Sequence, residues 1–260
     1  MRFLVAGLGL IGTSLALDLT AAGHEVSGYD ALAAHCDSAE AQGAIAHRLD
    51  APRGNYDCIL LATPPRAAIA LLDAPWRAPL WLDTGSVKQP VCDAARSRGL
   101  PFVGGHPLAG NAGSGPDAAQ AGLFRGQGFA LCPAGGPAEP AEELVRSLGA
   151  LPYWVDAAEH DRQVAVTSHI CYTFSCALAL MVADAPPELV GPAAREMLRV
   201  ATSPTGLWQE ILALNAPALA AAAAELADAM AAVAGGGGER LEAARAAAAR
   251  MRQGQVEHGG

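Results

Sequence analysis

A chain of 260 residues accommodates one large domain or two moderate ones of about 100–200 residues each, and it can bury a core without disulfide or metal staples. Hydrophobic residues make up 52% and charged residues 17%, which excludes global disorder. Aromatics are only 5%, so the apolar count rests on alanine and favours packed helices over an all-β sandwich. Seventeen Lys and Arg against 26 Asp and Glu give a net charge of −9. That balance argues against nucleic acid or an anionic membrane surface as a partner, yet one or two local arginines can still bind a small anion.

In chain order, Arg2–Ala6 reads as a first strand, and residues 11–22 carry helical spacing. His24–Asp30 and Asp57–Thr63 read as strands, with shorter candidates at Leu80–Asp83, Phe102–Val103 and Phe129–Cys132. Continuous apolar strands alternating with helical segments predict a parallel sheet covered on both faces. After Tyr153–Val155 the pattern changes. Asp156 and Glu159 form a capping-box pattern opening a long helix, and no good strand follows. The apolar stretch around residues 170–183 contains Ser, Thr, Cys and Tyr and is read as a buried core helix rather than a membrane span. Pro186-Pro187 and Asn215-Ala216-Pro217 interrupt the helices, Ala218–Ala234 is helical, and Gly235–Gly238 is a linker. A last helix is expected over Glu239–Arg252, with residues 253–260 as a frayed tail. The fold class is thus α/β: a parallel-sheet domain over 1–155, which the strand–glycine turn–helix run with Gly7, Gly9 and Gly12 makes a Rossmann dinucleotide-binding domain, then an all-helical domain over 156–260. The apolar N-terminal run is too short for a signal peptide. The six cysteines show no C-x-x-C pair and read as thiols in a reducing compartment. A soluble cytoplasmic protein without a metal site is the expectation.

Gly7-Leu8-Gly9-Leu10-Ile11-Gly12 is a G-x-G-x-x-G that follows a strand and opens a helix. Gly7 permits the tight turn, Gly9 lets backbone approach a pyrophosphate, and Gly12 allows close helix–strand contact. The backbone N–H groups at Leu10 and Ile11 open the helix N-terminus toward the phosphates. Asp30 lies 18 residues past Gly12 at the end of the next strand. Its carboxylate suits a ribose diol and repels a 2′-phosphate, so NAD is preferred to NADP. Thr63 and Pro64, at the carboxyl end of the third strand, either flank the cofactor or terminate the strand.

Two further strand ends carry Asp83-Thr84-Gly85-Ser86-Val87-Lys88 and Gly104-Gly105-His106-Pro107-Leu108-Ala109-Gly110. Small residues around one hydroxyl and one imidazole let a substrate approach. His106 can act as a general base near neutral pH and Ser86 can hold it by a hydrogen bond; a structural histidine is the alternative. In the helical half, Ser168, His169 and Tyr172 are placed on one helix face, and Arg195 and Arg199 on another. Arginines suit a carboxylate, or else a solvated face.

These segments, in this order, resemble the prephenate/arogenate dehydrogenases of tyrosine biosynthesis. The resemblance extends through H-D-x-x-V-A at 160–165, T-S-H-I at 167–170, R-x-x-x-R-V-A-T-S-P at 195–204 and Leu207-Trp208, and spans roughly residues 1–215. It implies NAD-dependent oxidative decarboxylation of a cyclohexadiene bearing a ring carboxylate and a ring hydroxyl. His106 would accept the hydroxyl proton, with Ser86 bonded to His106 or to the substrate. His169, with Ser168 and Tyr172 beside it, would face substrate or nicotinamide. Arg199 would anchor a carboxylate, and Arg195 would form a structural ion pair. A homodimer through the helical domain is also implied, as is a stand-alone dehydrogenase core. Two departures bear on specificity. Residues 111–115 lack the glutamate common after H-P-x-A-G, and Cys171 replaces a common proline. The alternatives are an arogenate-specific or amino-deoxyprephenate dehydrogenase, another two-domain NAD(P)-dependent hydroxyacid dehydrogenase or imine-reducing enzyme, or a nucleotide sensor without catalysis. The lysine-dependent enzymes of that kind generally want a lysine in the helical domain, and Lys88, the single lysine, lies in the first half.

Overall fold

A computed structural model describes residues 1–111 and 113–256. The chain forms two compact units, Met1–His160 and Asp161–Gly260. In the first, the strands are β1 (Arg2–Ala6), β2 (Glu25–Tyr29), β3 (His47–Arg48), β4 (Gly54–Asn55), β5 (Cys58–Leu61), β6 (Trp76–Arg77), β7 (Leu80–Asp83), β8 (Phe102–Pro107), β9 (Gly128–Ala134) and β10 (Leu151–Trp154). Helices α1 (Leu10–Ala21), α2 (Ala33–Ala41), α3 (Pro65–Leu71), α4 (Gln89–Ser97) and α5 (Ala138–Ser147) alternate with them. The main sheet runs β10-β9-β8-β7-β5-β1-β2-β3, and β4 and β6 form a separate two-stranded ribbon.

Strand periodicity divides the core. Phe3 and Val5 of β1 pack with Leu15 and Leu19 of α1 on one face of the sheet. Leu4 and Ala6 pack with Ala68 of α3 and Val91 of α4 on the other. Burial on both faces explains the unbroken apolar strands. One pairing departs from the all-parallel expectation: β8 and β9 are antiparallel, with His106 opposite Ala130. Among the described residues between them there is no crossover helix, only a 3₁₀ turn at Pro116–Ala118, and parallel neighbours require a crossover. This excursion is tied down instead: Gly122 N–H donates to Asp18 of α1 at 2.7 Å, and Gln42, just past the end of α2, donates to the Pro116 carbonyl at 3.1 Å.

Beyond β10, α6 (Ala157–Val164) runs into a π-helical turn at Ala165–His169 and then α7 (Ile170–Met181). Asp156 caps α6, its Oδ1 accepting from the Ala158 N–H at 2.9 Å. The division between the two compact units falls within α6, after His160. The reason is local: Ala157 belongs to the core under the sheet, and His160 bonds to β8. The helical unit continues with α8 (Pro192–Leu198), α9 (Thr205–Leu214), α10 (Ala216–Ala234) and α11 (Gly238–Val256). The last helix therefore extends through residues 253–256 of the expected frayed tail, and residues 257–260 lie outside the described residues. Among the described residues no strand follows Trp154.

α7 corrects the expectation of a buried core helix. Tyr172 and Ser175 are its buried residues, while Leu180 and Met181 are more than 80% exposed, because the C-terminal end projects past its own unit's packing. Two stretches, Ala157–Met181 and Ala216–Ala234, are long and apolar enough to cross a membrane by length and composition.

Candidate active site

The glycine turn has the geometry its sequence demands. Gly7 sits at φ +94°, and a Cβ there would fall 2.4 Å from the Ala62 carbonyl oxygen. A Cβ on Gly12 would lie 1.8 Å from the Gly7 carbonyl oxygen, whereas one on Gly9 would meet nothing within 4 Å. Helix α1 thus starts against the turn, presenting the unbonded first-turn N–H groups typical of a helix start, at Leu10, Ile11 and Gly12, with open space above Gly9. The adjoining cavity of about 480 Å³ is lined by Gly7, Gly9, Asp30, His35, Thr63 and Pro64, among others. Asp30 is already oriented: Oδ2 accepts from Leu8 N–H at 2.7 Å and Oδ1 from Leu32 N–H at 2.8 Å. His35 Nδ1 lies 3.2 Å from Oδ2. The Thr63 hydroxyl is buried with no hydrogen-bond partner among the described residues, in a residue that lines this cavity. Phosphate cradle and oriented carboxylate together fit a dinucleotide, and Thr63 and Pro64, at the end of β5, line the same cavity.

Two strands away, the ends of β7 and β8 are joined by a fully buried ion pair. Lys88 Nζ donates to Asp83 Oδ2 and to the Gly105 carbonyl at 2.6 Å. Asp83 Oδ1 accepts from Gly105 N–H at 3.0 Å. This pair accounts for the chain's single lysine, and it sets the register of the turn carrying Ser86 against the strand carrying His106. Two of the flanking glycines are required by packing. A Cβ on Gly105 would fall 2.3 Å from the Asp83 carbonyl oxygen, and one on Gly104 would fall 2.6 Å from Cys92 Sγ.

His106 is half-buried at the end of β8. Its Nδ1 lies 2.9 Å from Nε2 of His160, and the two rings meet edge-on, 5.1 Å apart at 71°. Ser86 makes no hydrogen bond to His106 among the described residues, which leaves its other expected role, a bond to substrate; a side chain that does meet His106 is His160, from the first turn of α6. The signal for it lay in the H-D of the 160–165 motif, to which the sequence attaches no role.

The helical unit builds a second polar cluster. His169, 1% exposed, lies at the end of the π-helical turn, a feature frequent at functional sites. Asn215 Nδ2 donates to the Asp161 carbonyl at 2.7 Å and faces His169 Nδ1 at 3.1 Å. Neutral His169 therefore carries its proton on Nε2. Trp208 lies edge-on to His169 at 6.1 Å and stacks flat on Tyr172 at 4.0 Å. Burial, and then a hydrogen bond with Cys176, push the Tyr172 phenol up from its ordinary range, leaving it neutral at physiological pH. Ser168 is half-buried beside His169. The arginines lie elsewhere. Arg199 is exposed and paired with Glu196 at 3.0 Å. Arg195 makes no ion pair among the described residues; it donates to the Val190 and Pro187 carbonyls at 2.9 and 3.2 Å, because it lies over the turn preceding α8. Asn215 and Trp208 had no role in the sequence reading, since both act across tens of residues.

A Rossmann sheet with a dinucleotide cradle and an imidazole pair at its strand ends, followed by a helical unit, defines the class of two-domain nucleotide-binding proteins. Residues 15–150 match the nucleotide-binding domain of prephenate dehydrogenase, and residues 156–237 match its dimerization domain. The chain belongs to the prephenate dehydrogenase family. It is 34% identical over 239 residues to cyclohexadienyl dehydrogenase of Zymomonas mobilis, covering 83% of this chain and 81% of that one. It is 30% identical over 236 residues to prephenate dehydrogenase of Bacillus subtilis, covering 82% and 63%. The chain spans less than two thirds of the length of three of the four curated relatives it matches. The structure of prephenate dehydrogenase from A. aeolicus in complex with hydroxyphenyl propionate and NAD+ shares the fold, with a TM-score of 0.84 over 97% of this chain and 98% of that one, at 22% identity.

Proposed function

We propose that this protein is an NAD-dependent prephenate or arogenate dehydrogenase. It would convert its substrate to 4-hydroxyphenylpyruvate or tyrosine, as a soluble cytoplasmic homodimer of tyrosine biosynthesis. The observation that carries the reading is His106, an imidazole held through Nδ1 at the carboxyl end of β8 in the same unit as the dinucleotide cradle. When bound, NAD+ supplies the acceptor for the hydride on the carbon that bears the ring hydroxyl. Asp30 reads the adenosine ribose and disfavours a 2′-phosphate. His106 accepts the hydroxyl proton at Nε2 as that carbon becomes a carbonyl. Carbon dioxide then leaves from the ring, the ring becomes aromatic, and His106 returns the proton to the phenolate oxygen. Aromatisation drives the step. Ser86 is assigned a hydrogen bond to the substrate hydroxyl, since it makes none to His106. In the helical unit, His169, Ser168 and Tyr172 are assigned to the substrate side, and Arg199 to a substrate carboxylate, for which it would exchange Glu196. The family's dimerization-domain description and the exposed apolar end of α7 support the homodimer.

The test is NADH formation with prephenate and with arogenate. Turnover of at least one is expected; no turnover of either contradicts the proposal.

A further inference from the structure

The motif at 160–165 has a residue without a role. We propose that His160 is a positioning residue that fixes the tautomer of His106, keeping the proton on His106 Nδ1 so that Nε2 is the basic nitrogen. This inference rests on the reading of His106 as the base.

Two neutral imidazoles that share one hydrogen bond have a single proton between them. With His106 Nδ1 and His160 Nε2 at 2.9 Å, one of two arrangements holds. If His160 Nε2–H donates, His106 carries its own proton on Nε2 and cannot accept one there. If His106 Nδ1–H donates, its Nε2 bears the lone pair. Only the second serves a base, and it requires His160 to be protonated on Nδ1.

The fold fixes the acceptor more firmly than a surface contact could. His160 is 3% exposed and lies in the first turn of α6, its N–H donating to the Asp156 carbonyl at 2.8 Å. Asp156 in turn caps that helix. His106 is held by strand pairing opposite Ala130, and the Asp83–Lys88 pair anchors the neighbouring Gly105. Both rings thus approach each other from rigid elements.

The contact also gains strength when it is needed. Once His106 takes the substrate proton, its Nδ1–H belongs to an imidazolium, and a hydrogen bond from a charged donor is roughly twice as strong as a neutral one. An interaction that is stronger in the transition state than in the ground state acts on kcat rather than on KM.

The experiment compares wild type, His160→Leu and His160→Gln. Leucine removes the acceptor; glutamine presents an amide oxygen that can accept from His106 Nδ1 but cannot take up a proton. His160→Leu is expected to lower kcat by about ten- to a hundredfold, with KM for substrate and for NAD+ changed less than about threefold. His160→Gln is expected to recover most of that loss. Unchanged kcat in His160→Leu, a rise in KM that accounts for its defect, or a His160→Gln as impaired as His160→Leu overturns the proposal. A second readout is independent of turnover. Ring ¹⁵N spectra, with His106 identified by subtracting His106→Asn, should show a protonated Nδ1 and an unprotonated Nε2 in wild type. Both tautomers should be populated in His160→Leu. A protonated Nε2 on neutral wild-type His106 refutes the inference whatever the substrate. The expected spectra without turnover of prephenate or arogenate would leave the inference standing and reject the proposed activity.

Discussion

A histidine base offers two nitrogens, and the protein must commit one to itself and one to the substrate. His106 commits Nδ1 to His160. His106→Asn should therefore lower kcat by about 10²–10⁴, the range for loss of a general base, as read in steady-state NADH formation; unchanged turnover would remove His106 from the mechanism. Asp30 acts on the cofactor alone. Asp30→Ala is expected to narrow the ratio of kcat/KM for NAD+ over NADP+, and an unaltered ratio would mean that the ribose is read by another group. The Asp83–Lys88 pair works through stability. Lys88→Met leaves a buried carboxylate without its counter-ion, which costs about 3–5 kcal/mol, measurable by chemical denaturation. The sequence showed Asp30 and the glycines because their chemistry is local: strand, turn and helix are contiguous. It could not show the His106–His160 pair, whose partners lie 54 residues apart. Arg199 shows the opposite difficulty, since the same side chain on a helix serves a carboxylate ligand or a neighbouring Glu196 equally well.

At the scale of elements, hydrophobic periodicity placed the major strands because they are buried on both faces. Pairing direction was less legible. The β8–β9 connection has the length of a crossover but lacks its helix, so the strands meet antiparallel. A contact at the sheet edge has a calculable sign with pH. Glu142 of α5 accepts from Trp154 Nε1–H of β10 at 2.6 Å, and this bond, followed by those from Arg146, holds its carboxyl below the usual range. The folded value lies below the unfolded one of about 4.3. The contribution is therefore present in full above the unfolded value and is lost as pH falls through the folded one. Glu142→Gln should be less stable than wild type near neutrality, and the difference should shrink on acidification. A constant difference across that range would show that this contact does not titrate.

For the whole molecule, the sequence pattern changes near residue 155, and the compact units divide a few residues later, after His160, because the first turn of α6 packs with the sheet. The helical unit exposes Leu180, Met181 and Leu189, apolar surface of the kind that marks an interaction face. A dimer is expected in sedimentation, and charging that face with Leu180→Glu and Met181→Glu should shift it toward monomer. A monomeric wild type, or one that sediments with lipid vesicles, would contradict the proposed soluble homodimer. The acidic net charge of −9 leaves room for a small dianion only where local cations or donors gather.

The most direct measurement is kcat/KM for prephenate and arogenate, side by side, with NAD+ and NADP+. The predicted result is NADH formation with at least one of the two substrates and a preference for NAD+. Absence of turnover with both substrates under both cofactors would contradict the assignment.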